Sequence, residues 1–362
     1  MLLSSLSVED FRSIAITNLS FHKNINIICG QNNAGKTTIL EAIYFCSNLR
    51  SFKSISNKEL IKKSSSYFKI SLNFTQNSIN NNIFLEKSLK SSKCLFNSKR
   101  ITKNRLMLEF PCYSLVFGFN NILLNDSSYR RDFIDSGMFH VEPSSIKDQN
   151  EYDKCLRQRN YVLRSQKTES LSFWDKKIVE CNDILSRQRL GYFKQLKHEF
   201  AQIIYDIKEN IPEIYDDISS LELIYNKGWQ RISFEEELVS NRARDLKVGH
   251  TSSGTHRSDF LITSKGKPVK ESGSMSTLVL ACLVIYLAKI NVFHVKHGYK
   301  PILLIDDLFF GIDNKNLTTV VKLLVHSRGN IVLTAPNIYR DILKEISEKN
   351  QEIDLKTVGV FN

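Results

Sequence analysis

The chain has 362 residues, 42% of them hydrophobic, which predicts a globular protein of two or more lobes. Its formal net charge of +12 favours an anionic partner, most simply nucleic acid. Seven scattered cysteines without CxxC spacing indicate reduced thiols in a cytosolic protein and exclude a disulfide framework. The N-terminus lacks a signal-peptide pattern, and the longest apolar run, Leu278 to Leu287, is too short to span a bilayer and predicts a core helix.

The first motif in chain order lies between a predicted buried strand at 25–29 and a predicted helix at 38–45. It fits the P-loop pattern, and its residues are Gly30, Gln31, Asn32, Asn33, Ala34, Gly35, Lys36 and Thr37. Backbone N–H groups of such a loop surround phosphate oxygens, and the helix N-terminus adds partial positive charge. The motif predicts an ATP site in which Lys36 reaches the β/γ-phosphates and Thr37 binds Mg²⁺, with Thr38 beside them.

Up to about residue 120 the pattern predicts mainly β structure, with the P-loop helix as the one helix. The alternating run 67–74 predicts half-exposed antiparallel strands, and Asn80–Asn82 predicts a hairpin turn. From about 127 to 210 the pattern is helical without sustained heptads, which favours a compact lobe over a coiled-coil arm. From about residue 221 the predicted helices are 234–247, 275–292 and one after Asp313, and the predicted strands are 260–263, 301–307 and 330–334.

Basic residues cluster in two segments of the N-terminal part. The first follows the P-loop helix and contains Arg50, Lys53, Lys58, Lys62 and Lys63. The second is expected on hairpins and contains Lys87, Lys90, Lys93, Lys99, Arg100, Lys103 and Arg105. If these side chains share a face, they predict a surface that follows the phosphates of nucleic acid and whose affinity falls steeply with salt. The alternative is a set of solvated loop residues.

A second motif, Pro301 to Asp307, is an apolar run that ends in two carboxylates. A parallel strand buried on both faces has this pattern, and ligands of open α/β sheets lie at the carboxyl ends of the strands. Asp306 is therefore predicted to hold the Mg²⁺ shell in the Walker B role, and Asp307 to orient the attacking water or accept its proton. The long insertion between Lys36 and Asp306 is typical of ATPases that work on chromosomes.

These residues together resemble the RecF family, bacterial recombination and gap-repair ATPases related to ABC and SMC head domains. The resemblance runs nearly end to end, and its middle segments are more specific than the P-loop. Besides the P-loop, the similar segments are Glu9–Arg12, Leu49–Lys53, Tyr129–Asp135, Tyr152–Asn160, Gly254–Asp259 and Leu303–Asp307.

The resemblance implies an α/β fold: an ABC-type ATPase head, with a P-loop α/β core plus an antiparallel β subdomain, and an inserted helical lobe. The expected division is an N-terminal half of the head at 1–125, the lobe at 126–215, and a C-terminal half at 216–362. It also implies that ATP joins two copies head to head around double-stranded DNA and that hydrolysis opens this homodimer. The implied partners are RecR and RecO, the implied target is the duplex beside a single-stranded gap, and the implied location is the cytoplasm.

The chain departs from the family pattern in the part that would complete a second subunit's site. The family signature Ser-x-Gly-Gln corresponds here to Glu271-Ser272-Gly273-Ser274. Gly273 and Ser274 are expected to serve the opposite subunit's nucleotide, but a carboxylate at the usual serine position repels phosphate unless Mg²⁺ or a base intervenes. A shift of one residue places Ser272 in that role, and the sequence does not decide between the two registers.

Two further family segments are altered, at 118–121 and at 310–313, where the final Asp313 is kept and is expected to line the dimer seam. Weak DNA-dependent ATPase activity is therefore the expectation. Two alternatives remain: an ATPase of the overcoming-lysogenisation-defect nuclease type, whose C-terminal acidic cluster the chain lacks, and a DNA clamp that does not hydrolyse ATP. Thr334 is either a γ-phosphate sensor or a plain strand terminus.

Overall fold

The computed structural model describes residues 1–31, 34–53, 57–117, 122–166, 168–212, 215–308, 314–339, 343 and 355–361. The chain forms two compact units. The first comprises Met1–Asn121, Ile207–Tyr215 and Phe293–Asn362, and the second comprises Ile122–Asp206 and Asp216–Val292.

The strands are β1 (Leu2–Phe11), β2 (Ile14–Ser20), β3 (Ile25–Gly30), β4 (Tyr67–Gln76), β5 (Ile79–Ser88), β6 (Ser92–Phe96), β7 (Lys99–Arg100), β8 (Cys112–Val116), β9 (Leu221–Asn226), β10 (Asp259–Ser264), β11 (Lys267–Pro268), β12 (Ile302–Asp306), β13 (Asn330–Pro336) and β14 (Leu355–Phe361). The helices are α1 (Lys36–Asn48), α2 (Lys103–Glu109), α3 (Ser127–Val141), α4 (Ser145–Ser165), α5 (Leu171–Asn210), α6 (Tyr215–Ile218), α7 (Phe234–Val248), α8 (Val269–Ser272), α9 (Met275–His297) and α10 (Asn314–His326).

A five-stranded parallel sheet in the first unit carries both nucleotide-site motifs. Its order is β14-β3-β13-β12-β8. Every residue of β3 and β12 is buried, as expected for parallel strands covered on both faces, and the sequence predicted both strands. In this parallel sheet β13 separates β3 from β12. The loop that follows β3 and the carboxylates at the end of β12 therefore lie at the same edge of the sheet, with one strand between them.

A six-stranded antiparallel sheet of order β2-β1-β4-β5-β6-β7 completes the first unit. Alternate residues of β4, such as Phe68 and Ile70, are fully buried and share a core with Ile39 and Ile43 of α1. The predicted alternation is therefore confirmed. The predicted turn at Asn80–Asn82 is wrong, because these residues pair within β5. The turn is at 77–78, where Asn and Ser adopt positive φ of 50° and 64°, the conformation that a tight hairpin needs.

The second basic cluster does not lie on one face of this sheet. Lys93 lies opposite Glu86 in the register of β5 and β6, with its Nζ 5.7 Å from the Phe84 ring centroid. The Lys87 Nζ lies on the other face, 5.5 Å from the ring centroid of Phe45 in α1. Burial lowers the pKa of Lys87. Lys103 and Arg105 belong to α2, a seven-residue helix that the sequence analysis missed because it is too short to show a clear period. The cluster therefore reaches solvent on at least two separate surfaces.

The second unit combines the predicted helical lobe with residues 216–292. The helices α3, α4 and α5 fall where helical structure was predicted. A three-stranded antiparallel sheet of order β11-β10-β9 packs with them, and the Arg130 guanidinium of α3 pairs with Asp259 of β10 at 2.7 Å. Packing thus groups 216–292 with the lobe, whereas the sequence grouped this segment with the C-terminal half of the head.

The helix α9 contains the longest apolar run. Among the described residues it alone is long and apolar enough to cross a membrane, and 78% of its most apolar window is buried inside the protein. The helix is longer than the apolar run 278–287, so the length argument of the sequence analysis does not hold for it. Its burial, which is typical of the core helix of a globular domain, supports the predicted core helix.

Candidate nucleotide-binding site

The loop after β3 ends at Gly35, which caps the N-terminus of α1. Its φ is +93°, in the left-handed region that L side chains rarely adopt. A Cβ added to Gly35 would lie 3.6 Å from Ile14 Cγ1 and 3.7 Å from Ser13 Oγ, which is ordinary contact. The backbone conformation, rather than crowding, therefore requires glycine here. Asn32 and Asn33 lie outside the described residues.

Lys36, the first residue of α1, is buried and turns back over the loop. Its Nζ donates hydrogen bonds to the carbonyl oxygens of Gly30, at 2.8 Å, and Gln31, at 2.6 Å. Burial lowers the pKa of Lys36, whereas the negative charges of Asp307 and Asp306 raise it. The net direction is a lowered pKa, which both carboxylates oppose by favouring the ammonium form.

Asp306, at the end of β12, is the buried acid of the site. Its Oδ1 accepts hydrogen bonds from the hydroxyls of Thr37, at 3.0 Å, and Thr334, at 2.9 Å. Its Oδ2 is buried and has no hydrogen-bond partner among the described residues. Burial and the neighbouring Asp307 raise the pKa of Asp306, against the hydrogen bonds from both threonines. A buried carboxylate oxygen without a partner is costly unless a cation or water meets it.

These oxygens fit a magnesium ion. The Thr37 hydroxyl and the free Oδ2 of Asp306 belong to adjacent groups, and hard cations such as Mg²⁺ take oxygen ligands. Within the described part of the chain no group of three or more His, Cys, Asp or Glu side chains could hold a metal. Mg²⁺ that is bound together with phosphates usually takes one or two protein carboxylates and keeps several waters.

Asp307 follows in the left-handed conformation, with φ of 56° and an exposed side chain. Its N–H donates to Thr334 Oγ1 at 3.1 Å. The Thr334 hydroxyl therefore holds the carboxylate of Asp306 and the backbone of Asp307 at once. These contacts link Thr334 to both acidic residues. Because β13 continues to Pro336, Thr334 is not the terminus of its strand, and its role as a γ-phosphate sensor stays a prediction.

A second buried acid, Glu41 of α1, was missed by the sequence analysis. It is completely buried, and its Oε1 accepts a hydrogen bond from Arg12 Nη2 at 2.6 Å as part of an ion pair. The same carboxylate accepts a hydrogen bond from the Ser51 hydroxyl, which in turn accepts the Lys53 N–H at 2.8 Å. Glu41 thus joins the β1–β2 turn and the turn after α1 to the P-loop helix. A lone acid in the apolar run 38–45 is the signal that could have revealed it.

The signature-like loop lies in the second unit. A Cβ on Gly273 would lie 2.7 Å from the Val269 carbonyl oxygen, so any side chain there forces a shift. Ser274 Oγ accepts the Thr277 N–H at 3.1 Å and caps α9, and Ser272 Oγ donates to the Pro268 carbonyl oxygen at 3.2 Å. Both hydroxyls are engaged within their own chain. Asp313 and the altered segments 118–121 and 310–312 lie outside the described residues.

Comparison with known proteins identifies the family. A family model described as RecF/RecN/SMC N terminal domain matches residues 2–345. DNA replication and repair protein RecF from Coxiella burnetii (strain CbuG_Q212) is 30% identical over 326 residues, which cover 89% of each chain. The chain belongs to the RecF family. A protein of the same name from Pseudoalteromonas translucida (strain TAC 125) is 28% identical, with 92% of each chain covered.

Solved structures show the same fold. The recombination mediator protein RecF-ATP in the RecFOR pathway matches with a TM-score of 0.76 at 23% identity, covering 93% of this chain and 92% of that chain. The Smc head domain of Pyrococcus furiosus matches with a TM-score of 0.54 at 15% identity, covering 95% and 91%. The RecF resemblance is confirmed, and so is the predicted ABC-type ATPase head with its antiparallel β subdomain and inserted helical lobe.

Proposed function

We propose that this protein binds ATP with Mg²⁺ and, in that state, binds double-stranded DNA in recombinational repair and the recovery of replication gaps. The observation that carries the proposal is the group formed by Lys36, Thr37 and Asp306, with one buried carboxylate oxygen left for a cation. The names of its relatives, DNA replication and repair protein RecF, and the ATP of the matched RecF structure support it.

The residues of the site divide the work of nucleotide binding. The backbone of Gly30–Gly35 and the Lys36 ammonium bind the phosphates, with Thr38 at the helix start, while Thr37 and Asp306 hold Mg²⁺. Bound Mg²⁺ neutralises charge that develops on the phosphates during transfer. Asp307 orients the attacking water or accepts its proton, and Thr334 fixes both carboxylate-bearing residues in place.

A second copy completes the site in this proposal. Gly273 and Ser274 of one copy face the nucleotide of the other, and Asp313 lines the seam between them. ATP thereby links a homodimer, with RecR and RecO as protein partners and the duplex beside a single-stranded gap as the target, in the cytoplasm. The occupied hydroxyls of Ser272 and Ser274 and the carboxylate of Glu271 favour slow turnover.

The distribution of charge supports a DNA surface in the N-terminal part. Residues 1–121 contain 16 Lys and Arg but only 6 Asp and Glu, so they carry +10 of the total charge of +12. Solvent-exposed segments with an excess of Lys and Arg attract the phosphates of nucleic acid, and their affinity for it falls as the salt concentration rises. The split of the cluster between two faces of the sheet indicates that some of these residues serve another surface.

The experiment that tests the proposal is ATP binding by calorimetry with and without Mg²⁺, on the wild type and on Lys36→Ala. We expect micromolar-range binding that requires Mg²⁺ and is lost in the variant, because the ammonium is the main cation for the phosphates. Wild-type protein that does not bind ATP contradicts the proposal. A nuclease activity with Mg²⁺ or Mn²⁺ would favour the alternative ATPase type, and absence of turnover despite binding would favour the clamp.

A further inference from the structure

A short segment of the second unit, residues 249–259, is fixed by buried arginines from three successive helices. Arg159 of α4, with 0% exposure, donates to Asp245 at 2.8 Å and to the Thr251 hydroxyl at 2.7 Å. Arg189 of α5 donates to the Thr255 carbonyl oxygen at 2.6 Å and pairs with Asp135. Arg130 of α3 pairs with Asp259, where β10 begins.

Neutral side chains fix the backbone of the same segment. Asn182 Oδ1 accepts the Thr255 N–H at 2.9 Å, and Asn160 Oδ1 accepts the Thr251 N–H at 2.8 Å. The ring of His256 lies between Tyr152 and the Thr251 carbonyl oxygen, at 2.7 Å and 3.1 Å from its two nitrogens. Gly254 adopts φ of 130°, which glycine tolerates and other residues do not.

A need for folding stability does not explain why so many buried arginines and acids surround segment 249–259. Burying a guanidinium costs desolvation energy that its ion pair roughly returns, and apolar residues of similar volume often stabilise a core as well or better. What such a polar network provides is one fixed geometry, even though Arg159 Nη2, Asn182 Nδ2 and Thr255 Oγ1 have no hydrogen-bond partner among the described residues. Segment 249–259 also packs tightly against Gly228, because a Cβ added to Gly228 would lie 2.3 Å from the Gly254 carbonyl oxygen.

One side chain of the fixed segment reaches solvent without a partner. Within segment 249–259 the exposed residues are His250 and Arg257. The His250 Nδ1 lies 3.1 Å from the Val248 carbonyl oxygen, whereas the Arg257 guanidinium makes no hydrogen bond or ion pair to any described residue. The neighbouring Arg131 donates to the Ser127 hydroxyl, at 2.9 Å, and to the Ser258 carbonyl oxygen, at 3.0 Å. Burial lowers the pKa of Arg131, and the positive charges of Arg189 and Arg257 lower it further.

We propose that Arg257, held on this rigid turn, is a preorganised contact for a phosphate of duplex nucleic acid. The inference rests on the proposed DNA binding and names a residue that carries it. A guanidinium is always charged and presents a planar fork that matches phosphate oxygens. A fixed turn lowers the ordering cost of that contact, whereas a lysine on a surface hairpin must be immobilised on binding.

The test is a salt titration of duplex binding by the ATP-loaded full chain, comparing wild type with Arg257→Gln. Each lost phosphate contact lowers the slope of log affinity against log salt by about 0.9, which corresponds to about eightfold weaker binding at 0.1 M salt. Arg187→Gln is the matched control: Arg187 is an exposed arginine of α5 whose Nε donates to the Asp183 carbonyl oxygen, outside the fixed segment. We expect the control to keep the wild-type slope.

A second variant tests the rigid turn itself. Asn182→Ala removes the acceptor of the Thr255 N–H without changing charge, and we expect weaker duplex binding with an unchanged salt slope. If Arg257→Gln retains both affinity and slope while the wild type binds duplex, this inference is overturned and the proposed function stands. If the wild type does not bind duplex in the presence of ATP, the proposed function is overturned, and this inference with it.

Discussion

Thr334 donates its hydroxyl hydrogen to Oδ1 of Asp306 over 2.9 Å, and so joins the ends of two neighbouring strands of the parallel sheet. The Thr334 hydroxyl oxygen also accepts a hydrogen bond from the Asp307 N–H. Both acids of the proposed nucleotide site therefore contact one hydroxyl from a residue that belongs to neither sequence motif.

Replacement of Thr334 by Val should separate binding from turnover. Val keeps the shape but removes the hydroxyl, so Asp306 loses one hydrogen bond and the Asp307 N–H loses its acceptor. We expect ATP turnover to fall at least about tenfold, because small displacements of catalytic groups are costly, while ATP affinity changes little. Thr334→Ser restores the hydroxyl and should recover most of the turnover. Equal losses of affinity and turnover in Thr334→Val would contradict a positioning role.

Neutralising Glu41 should destabilise the first unit. Glu41→Gln keeps the volume but breaks the buried ion pair with Arg12, whose side chain is 22% exposed, and we expect a loss of about 3 kcal/mol in urea unfolding. The control is Glu109→Gln, which breaks the surface ion pair with Arg105, a side chain that is 67% exposed. The control should cost less than about 1 kcal/mol. If both variants lose a similar free energy of unfolding, the buried ion pair stabilises the protein no more than the surface ion pair does.

The partly buried His256 should make the stability of the folded protein fall in acid. Burial lowers the pKa of His256 to about 4 in the folded protein, against about 6.5 in the unfolded chain. As the pH falls, the unfolded chain binds this proton before the folded protein does. The contribution of neutral His256 to the free energy of unfolding is therefore complete above about pH 6.5 and decreases, by up to about 3 kcal/mol, as the pH falls towards 4. Urea unfolding of wild type and His256→Gln between pH 4 and 7 should show a stability difference that shrinks with acid. A difference independent of pH contradicts the assignment.

Adding a methyl group at Gly273 should affect the dimer rather than the bound nucleotide. The new Cβ meets the Val269 carbonyl oxygen at 2.7 Å, so the loop must shift. We expect Gly273→Ala to bind ATP with wild-type affinity but to lose ATP-dependent dimerisation, since the loop serves the other copy. Gly191→Ala is the control, because nothing lies within 4 Å of its added Cβ. Dimerisation of Gly273→Ala at the wild-type level would remove the loop from the proposed seam.

Much of the site could be predicted because its signals are local. A buried strand followed by Gly30–Thr37, and an apolar run that ends in Asp306, are read directly from neighbouring residues. The roles of Glu41 and Thr334 depend on partners 29 and 28 positions away, and a single sequence does not show which side chains meet. Likewise, strand alternation predicted β4, but the position of its hairpin turn depended on two residues at positive φ.

The packing of residues 216–292 with the helical lobe also could not be predicted from the sequence. Arg159, Arg189 and Arg130 look like ordinary surface residues of amphipathic helices, and only the fold shows that each is buried against segment 249–259. Charged residues are rarely buried unless paired, so a pattern-based prediction places them in solvent.

The most direct measurement is the mass of the protein by size-exclusion chromatography with light scattering, with duplex DNA present, in ATP and in its absence. We expect a monomer without ATP, a dimer bound to duplex with ATP and Mg²⁺, and a monomer for Lys36→Ala under both conditions. A wild type whose mass and DNA binding are the same with and without ATP would contradict this expectation.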